Sequence, residues 1–194
     1  TVVLNGDGGD EIFAGYRRHL ATHYGRWLKH IPALLTNSAG SVLSRLAGNR
    51  RSAAGFAARL LRGAASSPGS QFLTWTFDRL YDGDKRPAWL LDEMRPTEEW
   101  IESRIPSGLS PLDAQTSAEI DINLLSDLLV KMDIATMAHS LEARSPLLDH
   151  QLAEFVASLP AGYRIRGRQL KSPLRDAYRG LIPAEVIRAK KRGF

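Results

Sequence analysis

Val2-Val3-Leu4-Asn5-Gly6-Asp7-Gly8-Gly9-Asp10-Glu11 runs from an apolar triplet straight into three glycines and three carboxylates. Glycines at this density let backbone amides approach a ligand closely, and the carboxylates bring enough negative charge to need a cation. A strand end that feeds such a loop, followed by an amphipathic helix, is where α/β proteins hold nucleotide phosphates and their magnesium. The pattern is not a dinucleotide fingerprint, whose glycine spacing differs, nor a P-loop, whose lysine and hydroxyl are missing. From the residues, Gly6, Gly8 and Gly9 leave two readings open, a plain turn and a ligand loop. Asp7 and Asp10, flanking the glycines with hard oxygen donors, favour the ligand loop.

Outward from this loop, helices dominate. Ile12, Phe13, Tyr16, Leu20, Tyr24, Trp27 and Leu28 recur at helical spacing from Asp10 onward. Asp10 and Glu11 in the first turn and Lys29 near the last suit the helix dipole, so one helix is expected, ended by Pro32. Residues 33–66 predict two shorter helices broken at Gly48-Asn49, then a loop over Ser66-Ser67-Pro68-Gly69-Ser70. A helical pattern resumes from Phe72 to Leu80, and the prolines at 87, 96, 106 and 111 predict short helices and turns from Asp82 on. Ile120, Leu124, Leu125, Leu128, Met132 and Met137 mark a long buried helix, interrupted or bent around Asp133. Leu152, Phe155, Val156 and Leu159 mark a short amphipathic one before Pro160. Ser172-Pro173 reads as N-cap and N1 of a last helix, with Leu174, Tyr178 and Leu181 on one face. Beyond Thr1–Leu4 almost no strand is expected, which makes the fold class α/β, mostly helical, with one strand at its start. A lone strand cannot satisfy its own edges, so the partners of Thr1–Leu4 are expected upstream, and both ends are expected to be cuts within a longer protein.

The 194 residues suffice for one domain with a core, and 43% hydrophobic with 24% charged residues is globular rather than disordered composition. Twenty-six basic against 21 acidic residues give +5, spread along the chain with local clusters at Arg50-Arg51, 164–168 and 188–192. Spread charge of this size suits an anionic ligand or solubility and is a weak footprint for nucleic acid. The absence of cysteine excludes disulfides, thiolate metal sites and a cysteine nucleophile within these residues. No apolar run approaches the ~18 residues of a membrane span and no leader pattern opens the chain, so a cytoplasmic protein without a membrane partner is expected.

Two further blocks carry charge in an apolar setting, where an unpaired buried charge is expensive. The first is Asp127-Leu128-Leu129-Val130-Lys131-Met132-Asp133; the second is Glu142-Ala143-Arg144-Ser145-Pro146-Leu147-Leu148-Asp149. Lys131 with Asp127, and Glu142 with Arg144, would make a pair network holding two helices. That reading is favoured for Arg144 and Asp149, while Lys131, Asp133 and Glu142 fit a pair network and a ligand site equally. Arg188-Ala189-Lys190-Lys191-Arg192-Gly193-Phe194 reads as a solvated basic face or as a loop that sets a cation over a phosphate. The five histidines lack metal-ligand spacing as a set; His19 and His23, four apart on a helix, read as a surface pair.

Taken in order, these blocks resemble one family. Asn5 to Tyr16 is similar to the (S/N)-G-(D/E)-G-x-D-E-x-F-x-G-Y signature of the glutamine-hydrolysing asparagine synthetases. Asp127 to Asp149 resembles their D-L-L-x-K-x-D…M-A-x-S-L-E-x-R-x-P-x-L-D block. Lys171-Ser172-Pro173-Leu174-Arg175 resembles their K-x-x-L-R segment, and Pro183 to Phe194 their P-x-x-(V/I)-x-x-(R/K)-K-K-x-G-F. The match is sparse between about residues 25 and 115.

The resemblance implies the C-terminal part of a synthetase domain with an ATP-pyrophosphatase fold, of the adenine nucleotide α-hydrolase-like kind, the whole of 1–194 belonging to that one domain. In such ligases aspartate attacks the α-phosphorus of ATP to give β-aspartyl-AMP and pyrophosphate. Ammonia from a glutaminase domain of the same full-length chain then displaces AMP to give asparagine. ATP and Mg²⁺ are the cofactors implied, aspartate or another carboxylate the substrate, and a homodimer stays open. Magnesium and lysines neutralise the departing pyrophosphate. By position, the resemblance makes Asp10 the metal-side carboxylate and Asn5, Gly6, Gly8, Gly9 and Lys190 the ATP-binding set. Asp7 takes the place of the acid that governs adenylation, Lys191 that of the basic residue near the phosphates, and Glu142 joins them as catalytic. Lys131, Asp133 and Arg144 shape the site. Asp7, Asp10 and Glu142 are expected in one cleft at the strand's carboxyl end.

Asn5 stands where serine is commoner, Leu148 where an aromatic is frequent, and Ala189 at a usually basic position. The family's Ser-Gly-Gly-x-Asp-Ser loop and its glutaminase cysteine are not in these residues, so this segment alone is expected to be inactive. Two other readings stand beside it. One is a related amidotransferase or cyclase acting on another carboxylate in cell-surface sugar or antibiotic assembly. The other is a basic helical nucleic-acid module, with steep salt dependence, which leaves the opening loop unexplained.

Overall fold

The apolar triplet Val2–Leu4 forms β1, and a second strand that the sequence conceals pairs with it. This is β2, Glu142–Arg144, parallel to β1 in the register Val2↔Glu142, Val3↔Ala143, Leu4↔Arg144. Glu142 N donates to Thr1 O and Asn5 N to Arg144 O, both at 2.9 Å, which carries the ladder one step past each end. The expectation of almost no strand beyond Thr1–Leu4 is corrected here. Three residues are too few to display period-two alternation, so β2 has no signature of its own. The computed structural model describes residues 1–47, 52–64, 66–76, 97 and 99–189.

The single helix expected from Asp10 to Pro32 is two. α1 spans Gly9–Ile12 and α2 Arg17–Leu28. Between them Ala14 adopts φ +55° and Gly15 N donates to Asp10 O at 2.7 Å. Ile12, Phe13 and Ala14 are all buried. Successive helical residues point about 100° apart, so a continuous helix cannot bury three in a row on one face, and a turn can.

α3, Ala33–Leu46, and α4, Ala53–Gly63, fall where two shorter helices are expected; the break at Gly48-Asn49 lies outside the described residues. Ser52 caps α4 by accepting from Gly55 N at 3.0 Å. α5, Pro68–Thr76, starts inside the expected loop, with Pro68 as its first residue. Phe77 to Leu80, and the stretch from Asp82 to Pro96, lie outside the described residues.

α6, Pro111–Ala118, starts at the Ser110 cap and passes into a π-helix, Glu119–Leu128, and then α7, Leu129–Met137. The long buried helix interrupted or bent at Asp133 is therefore corrected. The change of winding comes at Glu119, and α7 buries none of its residues, with Ile134 65% and Met137 54% exposed. Periodicity reveals an apolar face and is silent on whether anything covers it.

A 3₁₀ turn, Pro146–Leu148, leads to α8, His150–Ser158, where Asp149 Oδ1 accepts from Leu152 N at 3.0 Å and Val156 is buried. α9, Ala161–Arg164, α10, Ser172–Ala177, and α11, Ala184–Arg188, complete the described chain. The cap of α10 is Lys171 in the left-handed region at φ +53°, one residue before the expected Ser172. Ser172 is buried, and its Oγ donates to Gln169 O at 3.1 Å instead of capping the helix.

Contacts divide the chain into two units, Thr1–Tyr16 with Asp127–Phe194, and Arg17–Ser126. The second has a core of Phe72, Leu73, Ile101 and Ala118. It also holds a buried polar hub at Glu119, which accepts from Arg18 (Nη2 at 2.5 Å), from Gln115 Nε2 at 3.0 Å and from Asn123 Nδ2. His19 is fully buried with Nε2 4.0 Å from Glu119 Oε1, so the expected surface pair of histidines does not form. The first unit holds the sheet, the glycine loop, α1 and the C-terminal helices, and buries Ile12, Phe13, Ala14, Val156 and Ile165. Among the described residues no helix is long and apolar enough to cross a membrane.

Candidate functional site

The loop that leaves β1 is stitched to the loop that leaves β2. Asn5 Nδ2 donates to Asp7 Oδ2 at 2.8 Å, and Asp7 N donates back to Asn5 Oδ1 at 3.3 Å, a local Asx turn. Ser145 Oγ also donates to Asn5 Oδ1, which ties the two strand ends together through side chains as well as through the ladder. Parallel pairing puts both carboxyl ends on the same side of the sheet, the usual place for a ligand in an open α/β sheet.

Gly8 turns the chain into α1 at φ +78°, a conformation that side chains disfavour. A Cβ there would stand 2.0 Å from Leu148 Cδ2, so the position is closed by contact as well as by backbone geometry. A Cβ on Gly6 would meet nothing within 4 Å, which leaves that stretch of backbone open to approach.

Asp10 follows in α1. Its Oδ1 lies 3.1 Å from Nζ of Lys171, the two side chains being 23% and 27% exposed. Gly15 makes room for them; a Cβ there would sit 2.0 Å from Asp10 Oδ1 and 2.3 Å from Lys171 Cε. Glu11, next to it, is buried and accepts from Tyr16 OH.

Glu142 and Arg144, two apart on β2 and so on one face of it, form an ion pair at the surface, as the pair-network reading has it. The other half of that reading is corrected: among the described residues neither Lys131 nor Asp127 makes an ion pair. Lys131 and Asp133 are exposed on α7, which packs against β2. Lys190 and Lys191 lie outside the described residues.

Two residues at this site carry no role in the sequence reading. Ser145 follows β2 directly, and its signal is invisible until the strand is recognised. Lys171 stands in the Lys171-Ser172-Pro173-Leu174-Arg175 block, and only its contact with Asp10 singles it out. Among the described residues no group of three or more acidic or histidine side chains is placed to hold a metal ion. Magnesium at nucleotide sites takes one or two carboxylates and completes its shell with phosphates and water, so the donor set Asp7 and Asp10 suits a metal that arrives with a nucleotide.

Electrostatics in the second unit differ. Burial, and then the Arg26 charge, hold the His23 imidazole below its ordinary value and favour its neutral form.

The profile of the family described as asparagine synthase matches residues 1–194. A Mycobacterium bovis protein, provisionally named a glutamine-hydrolysing asparagine synthetase, is 33% identical over 206 aligned positions, covering 100% of this chain and 29% of its own length. Glutamine-hydrolysing asparagine synthetase 1 of Bacillus subtilis is 33% identical over 88 positions, 45% of this chain and 14% of the relative. The Gallus gallus enzyme of the same name is 34% identical over 87 positions, 41% of this chain and 16% of the relative. No solved structure matches the chain. The chain spans less than a third of the length of the mycobacterial relative it matches from end to end. With a family profile over every residue and that relative covering all of it, this chain belongs to the asparagine synthase family.

Proposed function

We propose that this chain forms the nucleotide-facing C-terminal part of the synthetase domain of an ATP-dependent amide-forming ligase, with the ATP-pyrophosphatase fold. The carboxylate oxygen of the substrate, aspartate in the first instance, attacks the α-phosphorus of ATP and pyrophosphate leaves. Ammonia, supplied by a glutaminase domain of the full-length protein, then attacks the acyl carbon and AMP leaves with the bonding electrons. Membership of the asparagine synthase family supports the reaction class.

The observation that carries the reading is the joining of two strand-end loops by Asn5 and Ser145, beside the Asp10–Lys171 pair. In this reading Gly6 presents backbone to the nucleotide, and Gly8 and Gly9 set the turn that lets it do so. Asp7, held by Asn5, governs adenylation. Lys171 shares the phosphate side with Lys190 and Lys191 and keeps Asp10 oriented until a nucleotide arrives. Asp10, with Asp7 near it in sequence, would hold Mg²⁺, which supplies charge neutralisation of the leaving pyrophosphate. Glu142 and Arg144 line the end of β2, with Lys131 and Asp133 on the neighbouring helix.

The test is carboxylate-dependent exchange of labelled pyrophosphate into ATP by the full-length protein, with aspartate and a panel of other carboxylates. Aspartate-dependent exchange that Asp10→Asn abolishes supports the reading. Exchange with another carboxylate alone moves the substrate to that acceptor. No exchange with any carboxylate sinks the ligase reading, and unaltered exchange in Asp10→Asn sinks the site.

A further inference from the structure

Ser145 stands at the N-cap of the 3₁₀ turn Pro146–Leu148, where a serine side chain ordinarily accepts from the turn, yet it makes no such bond. Its hydroxyl is turned to Asn5 and donates to Oδ1. Asp7 N donates to the same oxygen at 3.3 Å, and Asn5 Nδ2 donates to Asp7 Oδ2 at 2.8 Å. Asn5 N meanwhile donates to the carbonyl of Arg144, the residue before Ser145, at 2.9 Å. Asn5, Asp7 and Ser145 are all half-buried. Among the described residues Asp7 makes no ion pair, and the Asn5 amide is the one side chain that meets its carboxylate.

An amide side chain can lie in two senses, and its neighbours decide which. Asp7 N can only donate and Asp7 Oδ2 can only accept, so both fit the sense in which the Asn5 oxygen meets Asp7 N and Ser145. Turned over, the amide would set N–H against N–H and oxygen against carboxylate. Asn5 and Asp7 alone form a local turn that moves with a glycine-rich loop. Ser145, 140 positions away, fastens that turn to the exit of β2.

We infer that Ser145 is a positioning residue for the Asp7 carboxylate: its hydroxyl fixes the Asn5 amide, and that amide sets the carboxylate. The inference rests on the ligase reading above for what Asp7 does. Ser145 touches no substrate in this account and acts through Asn5.

The experiment uses the full-length protein with Ser145→Thr, Ser145→Val, Asn5→Ala and the pair Asn5→Ala with Ser145→Val. Thr and Val have nearly the same shape and differ in the hydroxyl. Ser145 has extended backbone, φ −111° and ψ 92°, which admits a β-branched side chain. Each variant is measured by carboxylate-dependent pyrophosphate exchange, by thermal melting, and by hydrogen exchange of backbone amides over residues 5–9 without nucleotide.

Ser145→Val is expected to lower kcat about fivefold, the order one neutral hydrogen bond is worth, with KM for ATP changed less than about twofold. It is also expected to speed amide exchange over 5–9, with Ser145→Thr close to the parent in both. In the Asn5→Ala background, Ser145→Val is expected to cost less than about twofold, because residues acting as one unit are not additive. Equal behaviour of the Thr and Val variants overturns the inference, and so does a full fivefold loss in the Asn5→Ala background. Amide exchange over 5–9 that stays as slow in Ser145→Val as in the parent overturns it too. So does a kcat loss that only tracks a falling melting temperature, because Ser145 is then purely structural. Failure of the ligase reading looks different: the parent itself shows no carboxylate-dependent exchange, while the amide measurement still separates Thr from Val and decides whether the hydroxyl holds the loop.

Discussion

Lys171 Nζ stands 3.1 Å from Asp10 Oδ1, joining the start of α10 to the short helix that follows the glycine loop. Gly15 leaves the space they occupy. In the ligase proposed above, Asp10 would need a counter-charge while the nucleotide is away, and a lysine beside it could afterwards turn to the phosphates.

Replacing that lysine is therefore expected to be costly for chemistry and mild for folding. Lys171→Met should lower carboxylate-dependent pyrophosphate exchange in the full-length protein at least tenfold, about 1.4 kcal/mol of barrier. The melting temperature should move little, since the pair is partly exposed. Exchange at the parent rate would remove Lys171 from the phosphate side.

Gly8→Ala should destabilise the glycine loop on two counts. The residue sits at φ +78° and its new methyl would press on Leu148 Cδ2. A loss of about 1–3 kcal/mol is expected in chemical denaturation. Leu148→Ala in the same chain should recover the steric part and leave the backbone part. Full recovery, or none, would show that one of the two causes is absent.

Glu119 is the charged hub of the other unit, with a side chain fully buried against Arg18. Glu119→Leu leaves Arg18 without its carboxylate and should destabilise by about 3–5 kcal/mol. Arg18→Met added to Glu119→Leu should return part of that loss, because the carboxylate and the guanidinium that faces it are then removed together. Urea denaturation of the two variants decides it, and a double variant no more stable than Glu119→Leu alone contradicts the hub.

His23 gives stability a pH dependence of known sign. Its folded value lies below the ordinary one, from burial and the Arg26 charge. Above about pH 6.5 the ring is neutral in both states and contributes nothing. As pH falls through that value, the unfolded chain takes up a proton that the native ring resists, so stability is lost toward acid. Melting temperatures measured from pH 7.5 to pH 5 should fall less steeply for His23→Gln than for the parent. Identical slopes would remove the histidine as the cause.

Much of this was legible in the residues. α3 and α4 fall where two shorter helices were expected and α8 where a short amphipathic one was, because helical periodicity is a relation between near neighbours in sequence. The glycine loop, its flanking aspartates and the strand before it were equally local. Where the sequence misled, a distant contact had overridden a local preference. The turn at 13–16 replaces helix so that Ile12, Phe13 and Ala14 bury together, and Lys171 takes a left-handed backbone beside Asp10. α7 has the apolar pattern of a buried helix and lies exposed, since a pattern does not say what covers it.

Family, helix-rich composition and the glycine-rich, acidic turn at Asn5–Glu11 follow from short-range residue order, because backbone propensity and motif spacing are properties of neighbours. The partnership of β1 with β2, the seating of Asn5 against Ser145 and the meeting of Asp10 with Lys171 could not be read that way. Each joins residues more than a hundred positions apart. Such contacts come from strand pairing and charge pairing between segments that only folding brings together, and their energy leaves no periodic mark on either segment.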